Sequence, residues 1–372
     1  MRAKAVTAMS GLSRGCGHWS AGGLCYDGGP VIFLHDRFSF AIKCAKFGSR
    51  GQRTKSPRKT TGVPMRASLR IIVTALALVG TAPPVVAQTG PAPIVKVEGL
   101  RQISAHVHII PDNSVPLVPN VGYIVGDRAV LVIDTGLGPR NGAAVYEVAR
   151  KLAGTKTLYL VTTHVHPEHD LGAQAFPDTT KLIRSTDQEK DIAESGLQLA
   201  KVFASRSAIN AELLKNADFR KADITFESDY DLDLGGVRAK LTAMGPNHTV
   251  GDTIVWIESD RVLFAGYLAM RAQPAFASPH SSLRQWLVSL DRLEALKPAI
   301  IVPSHGPIGE GTAFITGYRA YLMEISDRTA AEKRAGRSVD QAVEAVTAAF
   351  GDRAPDKARL VGAIKGAFAE AP

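Results

Sequence analysis

Cysteine is scarce and confined to one end. The chain has three, Cys16, Cys25 and Cys44, and none afterwards. From residue 45 onward there is accordingly no disulfide, no thiolate metal ligand and no thiol nucleophile. Excess charge is confined in the same way. Of the formal net charge of +9, residues 1–64 supply all, with eleven Lys/Arg against two acids; the other 308 residues balance 33 basic against 33 acidic side chains. A neutral body makes no global electrostatic claim on a phosphate backbone, so no nucleic-acid partner is expected. No P-loop occurs, and no G-x-S-x-G elbow occurs after residue 88, so the body of the chain lacks those two routes to phosphate binding and serine hydrolysis. No apolar run approaches the ~20 residues that a membrane span needs, and no internal repeat is visible.

The first 87 residues read as leader. Met65 is followed by Arg66 and Arg70, a short apolar stretch from Ile71 to Val79, and the run Pro83-Pro84-Val85-Val86-Ala87 before Gln88. Charge, apolar run and small residues at the cleavage point are the order of a secretory signal peptide. The expectation is a signal peptide over 65–87, cleavage near Ala87, and a periplasmic or secreted product with no stable membrane span. Met65 is the expected start, with 1–64 a non-native or disordered basic extension. Cys16, His18, Cys25, His35 and Cys44 match no ordinary zinc-finger spacing.

Beyond residue 95, short β-rich runs alternate with helical stretches. Strands are expected over 104–110, 120–125, 129–133, 158–161, 181–184, 233–244, 253–258, 262–265 and 299–302. Helices are expected over 139–152, most of 185–220, 283–296, and 312–368. Val145, Val148, Ala149 and Leu152 fall at helical spacing, which gives the first helix one apolar face. This mixed α/β pattern suits either two sheets sandwiched by helices or one doubly wound sheet, and periodicity does not choose between them.

The sharpest signal is Thr163-His164-Val165-His166-Pro167-Glu168-His169-Asp170. Three histidines and two carboxylates fall within seven residues, directly after a strand. His164 and His166, two apart on extended chain, point the same way and suit one shared ion. Glu168 and His169, past the turn at Pro167, suit a second. Two more loops carry a central histidine, Gly245-Pro246-Asn247-His248-Thr249-Val250-Gly251-Asp252 and Pro303-Ser304-His305-Gly306-Pro307. Eight histidines follow residue 88, and five lie in these three loops. Neutral imidazole is the commonest metal ligand, and zinc takes histidine and carboxylate together. Burying such a cluster without a cation would leave polar groups in need of partners. His106 and His108 alternate on a strand and read as structural. His280, just before the helix at 283, either lines the pocket as a substrate-binding residue or sits in a cap loop.

In this order the motifs resemble the metallo-β-lactamase superfamily over roughly residues 95–310, and Val132-Ile133-Asp134-Thr135-Gly136 resembles its early D-T-G motif. The resemblance implies an αββα sandwich over 88–311, with additional C-terminal helices over 312–372 packed on the same domain. It implies one ion at His164, His166 and His248 and a second involving His169 and His305, to which Glu168 is a candidate ligand either directly or through water. Asp134, Asp170 and Asp252 would support these ligands from behind. It further implies an exported hydrolase that uses one or two zinc ions and a metal-activated water on an ester, thioester or lactam carbonyl. Glu168 would orient that water or shuttle its proton, and Tyr267 would donate to the oxyanion.

Two positions depart from the family pattern. Glu168 stands where the family has Asp, which moves the carboxylate by about 1.5 Å, one carbon–carbon bond. Tyr267 stands where many of its hydrolases carry a metal-bridging Asp. A strong first metal site and a weaker second one are therefore expected. The alternatives are a mononuclear iron dioxygenase of the persulfide type and a non-catalytic binding protein with the same fold. The partner is a small-molecule substrate, walled by residues 111–119, 185–220 and 270–280.

Overall fold

The computed structural model of the chain describes residues 91–270, 281–354 and 356–372. The leader, with the expected signal peptide, and His280 lie outside the described residues. Two sheets form the centre. In the first, β1 (Arg101–Gln102), β2 (Val107–Ile110), β3 (Val121–Val125) and β4 (Ala129–Ile133) run as an antiparallel meander. Helix α1 (Gly138–Ala153) crosses over to β5 (Thr157–Val161), which pairs with β4 in parallel. The short helix α2 (Pro167–Asp170) follows, with Pro167 at its first turn, where a missing N–H costs nothing. After β6 (Lys181–Ser185), α3 (Thr186–Asp191) passes through a π turn at Ile192–Gly196 into α4 (Leu197–Ser205) and then α5 (Ala208–Leu213). The first sheet ends with β7 (Ile224–Phe226), parallel to β6.

The second sheet has the order β13-β12-β11-β10-β9-β8. Its strands are β8 (Asp229–Asp233), β9 (Arg238–Ala243), β10 (Thr253–Ile257), β11 (Val262–Gly266), β12 (Ile300–Pro303) and β13 (Gly309–Glu310). Helix α6 (Leu283–Ala295) makes the parallel crossover between β11 and β12. Three helices, α7 (Ala313–Arg334), α8 (Val339–Phe350) and α9 (Lys357–Glu370), complete the chain. No helix among the described residues is long and apolar enough to cross a membrane.

Burial divides the core into layers. Between the sheets, Ile124, Leu131, Ile133 and Val161 of one face Leu241, Val255, Phe264 and Val302 of the other. Gly122 permits the close approach: a Cβ there would come within 2.3 Å of the Phe264 ring. On the outer side of the first sheet, Val132, Leu160 and Leu182 meet Val145, Val148 and Ala149 of α1. On the outer side of the second, Ile254, Leu263 and Ile301 meet Leu283, Trp286, Leu290 and Leu293 of α6. Ile315, Leu322, Phe350, Leu360 and Ile364 of the last three helices join that same cluster. At roughly 1.5–3 kcal/mol per fully buried side chain, this face is strongly held. The result is an αββα sandwich with added C-terminal helices; two sheets, not one doubly wound sheet, are present.

Two expected strands are corrected. The run 233–244 is not continuous: β8 ends at Asp233, and Gly235 (φ 83°) and Gly236 (φ 76°) turn the chain back into β9. Both glycines are left-handed, as a two-residue hairpin turn that matches strand twist requires. The expected strand over 104–110 begins only at Val107, because Ser104 and the His106 backbone N–H bond to Asp260 instead of a neighbouring strand.

Candidate metal centre

All three histidine loops leave the sandwich at one end, where strands of both sheets stop. The end of β5 supplies 162–170, the β9–β10 connection supplies His248, and the end of β12 supplies His305. Hydrogen bonds lock these loops together across the two sheets. Thr253 N–H donates to the Thr163 carbonyl at 2.8 Å, and Asn120 Nδ2 donates to the carbonyls of Pro303 and Gly306, both at 2.9 Å.

Asp134 organises the ligands from beneath. It leaves β4 with a left-handed φ of 62°, a conformation that Asp tolerates because its short polar side chain bonds locally. That turn aims the carboxylate at the β5 loop. Oδ1 accepts from the Thr163 N–H at 2.8 Å; Oδ2 accepts from Thr163 Oγ1 at 3.0 Å and from His169 Nδ1 at 2.7 Å. The single hydroxyl proton of Thr163 is thereby committed, so Oγ1 accepts from His164 Nδ1–H, 3.1 Å away. Both imidazoles therefore carry their proton on Nδ1 and turn a bare Nε2 inward. His305 follows the same rule, its Nδ1–H donating to the Val118 carbonyl at 2.7 Å.

The inward atoms form two adjacent groups. His164, His166 and His248 make one, and Glu168, His169 and His305 the other; within each, one ligand atom per residue lies within 4.8 Å of the others. His166 Nδ1 and His248 Nε2 face each other at 3.3 Å. His164 Nε2, His169 Nε2 and Glu168 Oε2 are buried without a hydrogen-bond partner. Such orphans are costly, and a divalent cation in each group would satisfy them. The donor set thus fits metal. Burial, and then the neighbouring imidazoles, hold His164, His166 and His305 well below the ordinary histidine range, in the neutral form that ligation requires. Burial also pulls His169 down, but the charge and hydrogen bond of Asp134, with Glu168, lift it above its ordinary value. Glu168, despite His169, is raised by burial.

The remaining predicted residues take distinct places. Asp252 accepts the N–H groups of Asn247, His248 and Thr249 and so shapes the His248 loop; burial nonetheless pushes its carboxyl up to about 6. Asp170 turns away from the cavity into a fully buried bidentate pair with Arg184. Tyr267 is brought into the cluster by the end of β11, its ring stacked on His248 at 3.9 Å and 9°. Burial, and then the Glu168 carboxylate, push its hydroxyl pKa upward, so the phenol keeps its proton. His106 stands apart, joined to Asp260 at 2.7 Å.

Over the metal ligands opens a cavity of about 620 Å³. Val115, Pro116 and Leu117 from the β2–β3 loop line it with Leu199, Val202 and Phe203 of α4. Those walls fall within two of the three expected segments. Two cations also line it, Arg206 just past α4 and Arg359 of α9, and neither was legible. Arg359 stands three residues after Asp356, a pattern that reads as an ordinary surface pair on a helix.

Fold and site together define a metal-binding αββα sandwich. The chain belongs to the metallo-beta-lactamase superfamily, whose family model matches residues 115–305. Among curated relatives it is 22% identical over 260 residues to a linear primary-alkylsulfatase of Pseudomonas sp., covering 60% of this chain and 49% of that protein. It is 26% identical over 189 residues to an acyl-coenzyme A thioesterase of Gallus gallus, covering 48% of this chain and 67% of that one. It therefore spans between half and two thirds of the length of these relatives. The solved sec-alkylsulfatase Pisa1 from Pseudomonas sp. shares the fold, with a TM-score of 0.57 at 14% identity over 73% of this chain and 50% of that one.

Proposed function

We propose that this protein is a zinc-dependent hydrolase of small esters, thioesters or lactams, exported by way of residues 65–87. The observation that carries the reading is the pair of buried donor groups, with their unpartnered inward atoms, on the floor of an open cavity. His164, His166 and His248 would hold the stronger ion, and Glu168, His169 and His305 the weaker. Bound there, zinc would supply Lewis acidity and a water that ionises near neutral pH.

The chain's own residues set the rest. Asp134 fixes the tautomers of His164 and His169. Glu168 carries a buried carboxylate able to hold a proton taken from water. Tyr267 keeps its phenolic proton and can donate it as a hydrogen bond to a developing oxyanion. The alkylsulfatase likeness adds sulfate esters to the candidates. The charge pattern before Gln88 supports export, to the periplasm or medium.

Elemental analysis of the full chain, paired with assay of ester, thioester, lactam and alkyl sulfate substrates, tests the reading. One to two zinc per chain is expected, with turnover lost in His164→Ala. Iron with oxygen uptake would point to a dioxygenase, and metal without turnover to a binding protein. No bound metal, or undiminished metal content in His164→Ala, would overturn the centre itself.

A further inference from the structure

The cavity is asymmetric in polarity. Its buried floor is the metal cluster, one part of its wall is apolar, and its remaining charges are the two arginines. The acids that share the cavity are already engaged. Asp112 accepts the N–H groups of Gly306 at 2.7 Å and Ser114 at 3.1 Å, and Glu168 belongs to a donor group. Among the described residues no carboxylate lies within ion-pair distance of Arg206. Its guanidinium instead stacks on the Phe203 ring, 3.7 Å from the centroid, which orients the fork and leaves its N–H groups to donate elsewhere. Arg359 has only Asp356, at 3.1 Å, on its own helix, and its side chain is 37% exposed.

We propose that Arg206 and Arg359 form an oxoanion subsite on the solvent side of the metal cavity, and that the substrate is an amphiphile with a carboxylate or sulfate group beside an aliphatic or aryl body. The body lies against Val115, Leu117, Val202 and Phe203, and the anion takes the forks of the two arginines. The last helix of the chain, outside the segment matched by the family model, thereby contributes a specificity-determining residue. The proposal rests on the hydrolase reading for the word substrate, but the binding subsite stands on the geometry alone.

Calorimetry on the metal-loaded full chain tests it with octanoate, octyl sulfate and neutral 1-octanol. Charged hydrogen bonds of this kind predict that the anions bind tighter than octanol by about tenfold or more. Arg206→Gln and Arg359→Gln should each weaken the anions by about tenfold and leave octanol unchanged. Arg359→Lys should restore part of the loss, because it keeps the charge without the fork. Comparison of octanoate with octyl sulfate identifies which oxoanion the subsite prefers. In a kinetic arm, the ratio of KM for p-nitrophenyl hexanoate to that for the mono-p-nitrophenyl ester of adipic acid should fall in both glutamine variants.

Equal binding of anions and octanol would overturn the proposal. So would an anion preference that survives in the double variant, since the anion would then be held by the metals. Anion-selective binding without turnover of either ester would refute the hydrolase reading and support the subsite. Turnover without charge preference would do the reverse.

Discussion

Replacing Arg184 with Met should destabilise the protein more than any other single change to a charged residue outside the cavity. Arg184 is fully buried beneath the metal-binding loop. Its Nε and Nη2 hold both oxygens of Asp170 at 2.9 and 2.7 Å, and its Nη1 holds Glu189 at 2.7 Å and the Arg220 carbonyl at 2.5 Å. Met fills the stem's volume but leaves the Asp170 carboxylate buried with only Thr162 Oγ1 at 2.7 Å and Gln188 Nε2 at 3.3 Å. Removing one partner of a buried ion pair costs about 3–5 kcal/mol. Glu189 is partly exposed and recovers water, which places the expectation near the lower figure. With a urea m-value of about 3 kcal/mol/M, the upper end of the ordinary range, the midpoint should fall by about 1 M. Urea unfolding of the metal-free protein, followed by circular dichroism, reads this without metal linkage. The double variant Arg184→Met/Asp170→Leu should regain much of the loss, because no charge is then stranded. A single-variant cost below about 1 kcal/mol, or a double variant as poor as the sum of the two singles, would refute the reasoning.

Asp134→Asn keeps an acceptor for the Thr163 N–H but cannot also accept from both Thr163 Oγ1 and His169 Nδ1. Metal affinity should drop by about 10–100-fold, measured by chelator competition, with the loss greatest in the group that contains His169. Asp260 gathers Ser104 Oγ at 2.6 Å and the N–H and Nδ1 of His106 at 2.8 and 2.7 Å. Burial opposes its ionisation, but these donors outweigh it and hold its carboxyl down at about 2. A depressed folded-state pKa stabilises above the unfolded value of about 3.9 and is lost as pH falls through the folded one. The melting-temperature gap between metal-free wild type and Asp260→Asn should therefore be constant above pH 5 and shrink between pH 4 and 2. A gap that stays constant down to pH 2 would contradict the assignment.

The metal centre was largely legible because its information is local. Three short loops each carry a histidine in a sequence of small and turn-forming residues. His164 and His166, adjacent on extended chain, needed no fold to be recognised as a unit. The apolar strands, such as Leu158 to Val161, whose last two residues are buried and first two half-buried, and the apolar stripe of α1 were legible for the same reason: their pattern is written in neighbouring residues. The hairpin at Gly235–Gly236 was legible but passed over: the Gly-Gly pair breaks the alternation between Leu234 and Val237, which is the local signal of a two-residue turn.

By itself, then, the sequence determined which residues offer metal-ligand chemistry, most of the longer strands and helices, and the neutrality of the body. Tertiary structure alone decided the rest. Which imidazole nitrogen faces inward depends on Asp134, thirty residues from the ligands it orients and turned towards them by a left-handed backbone. Which carboxylate joins the cluster also follows from the fold, since Glu168 and Asp170 are two apart in sequence yet one faces His169 and the other Arg184. Finally, the cations of the cavity come from the end of α4 and from the last helix, and no sequence spacing relates Arg359 to His166. Hydrogen-bond direction and long-range juxtaposition are properties of the packed chain, because both depend on how strand ends from two sheets converge on a single edge.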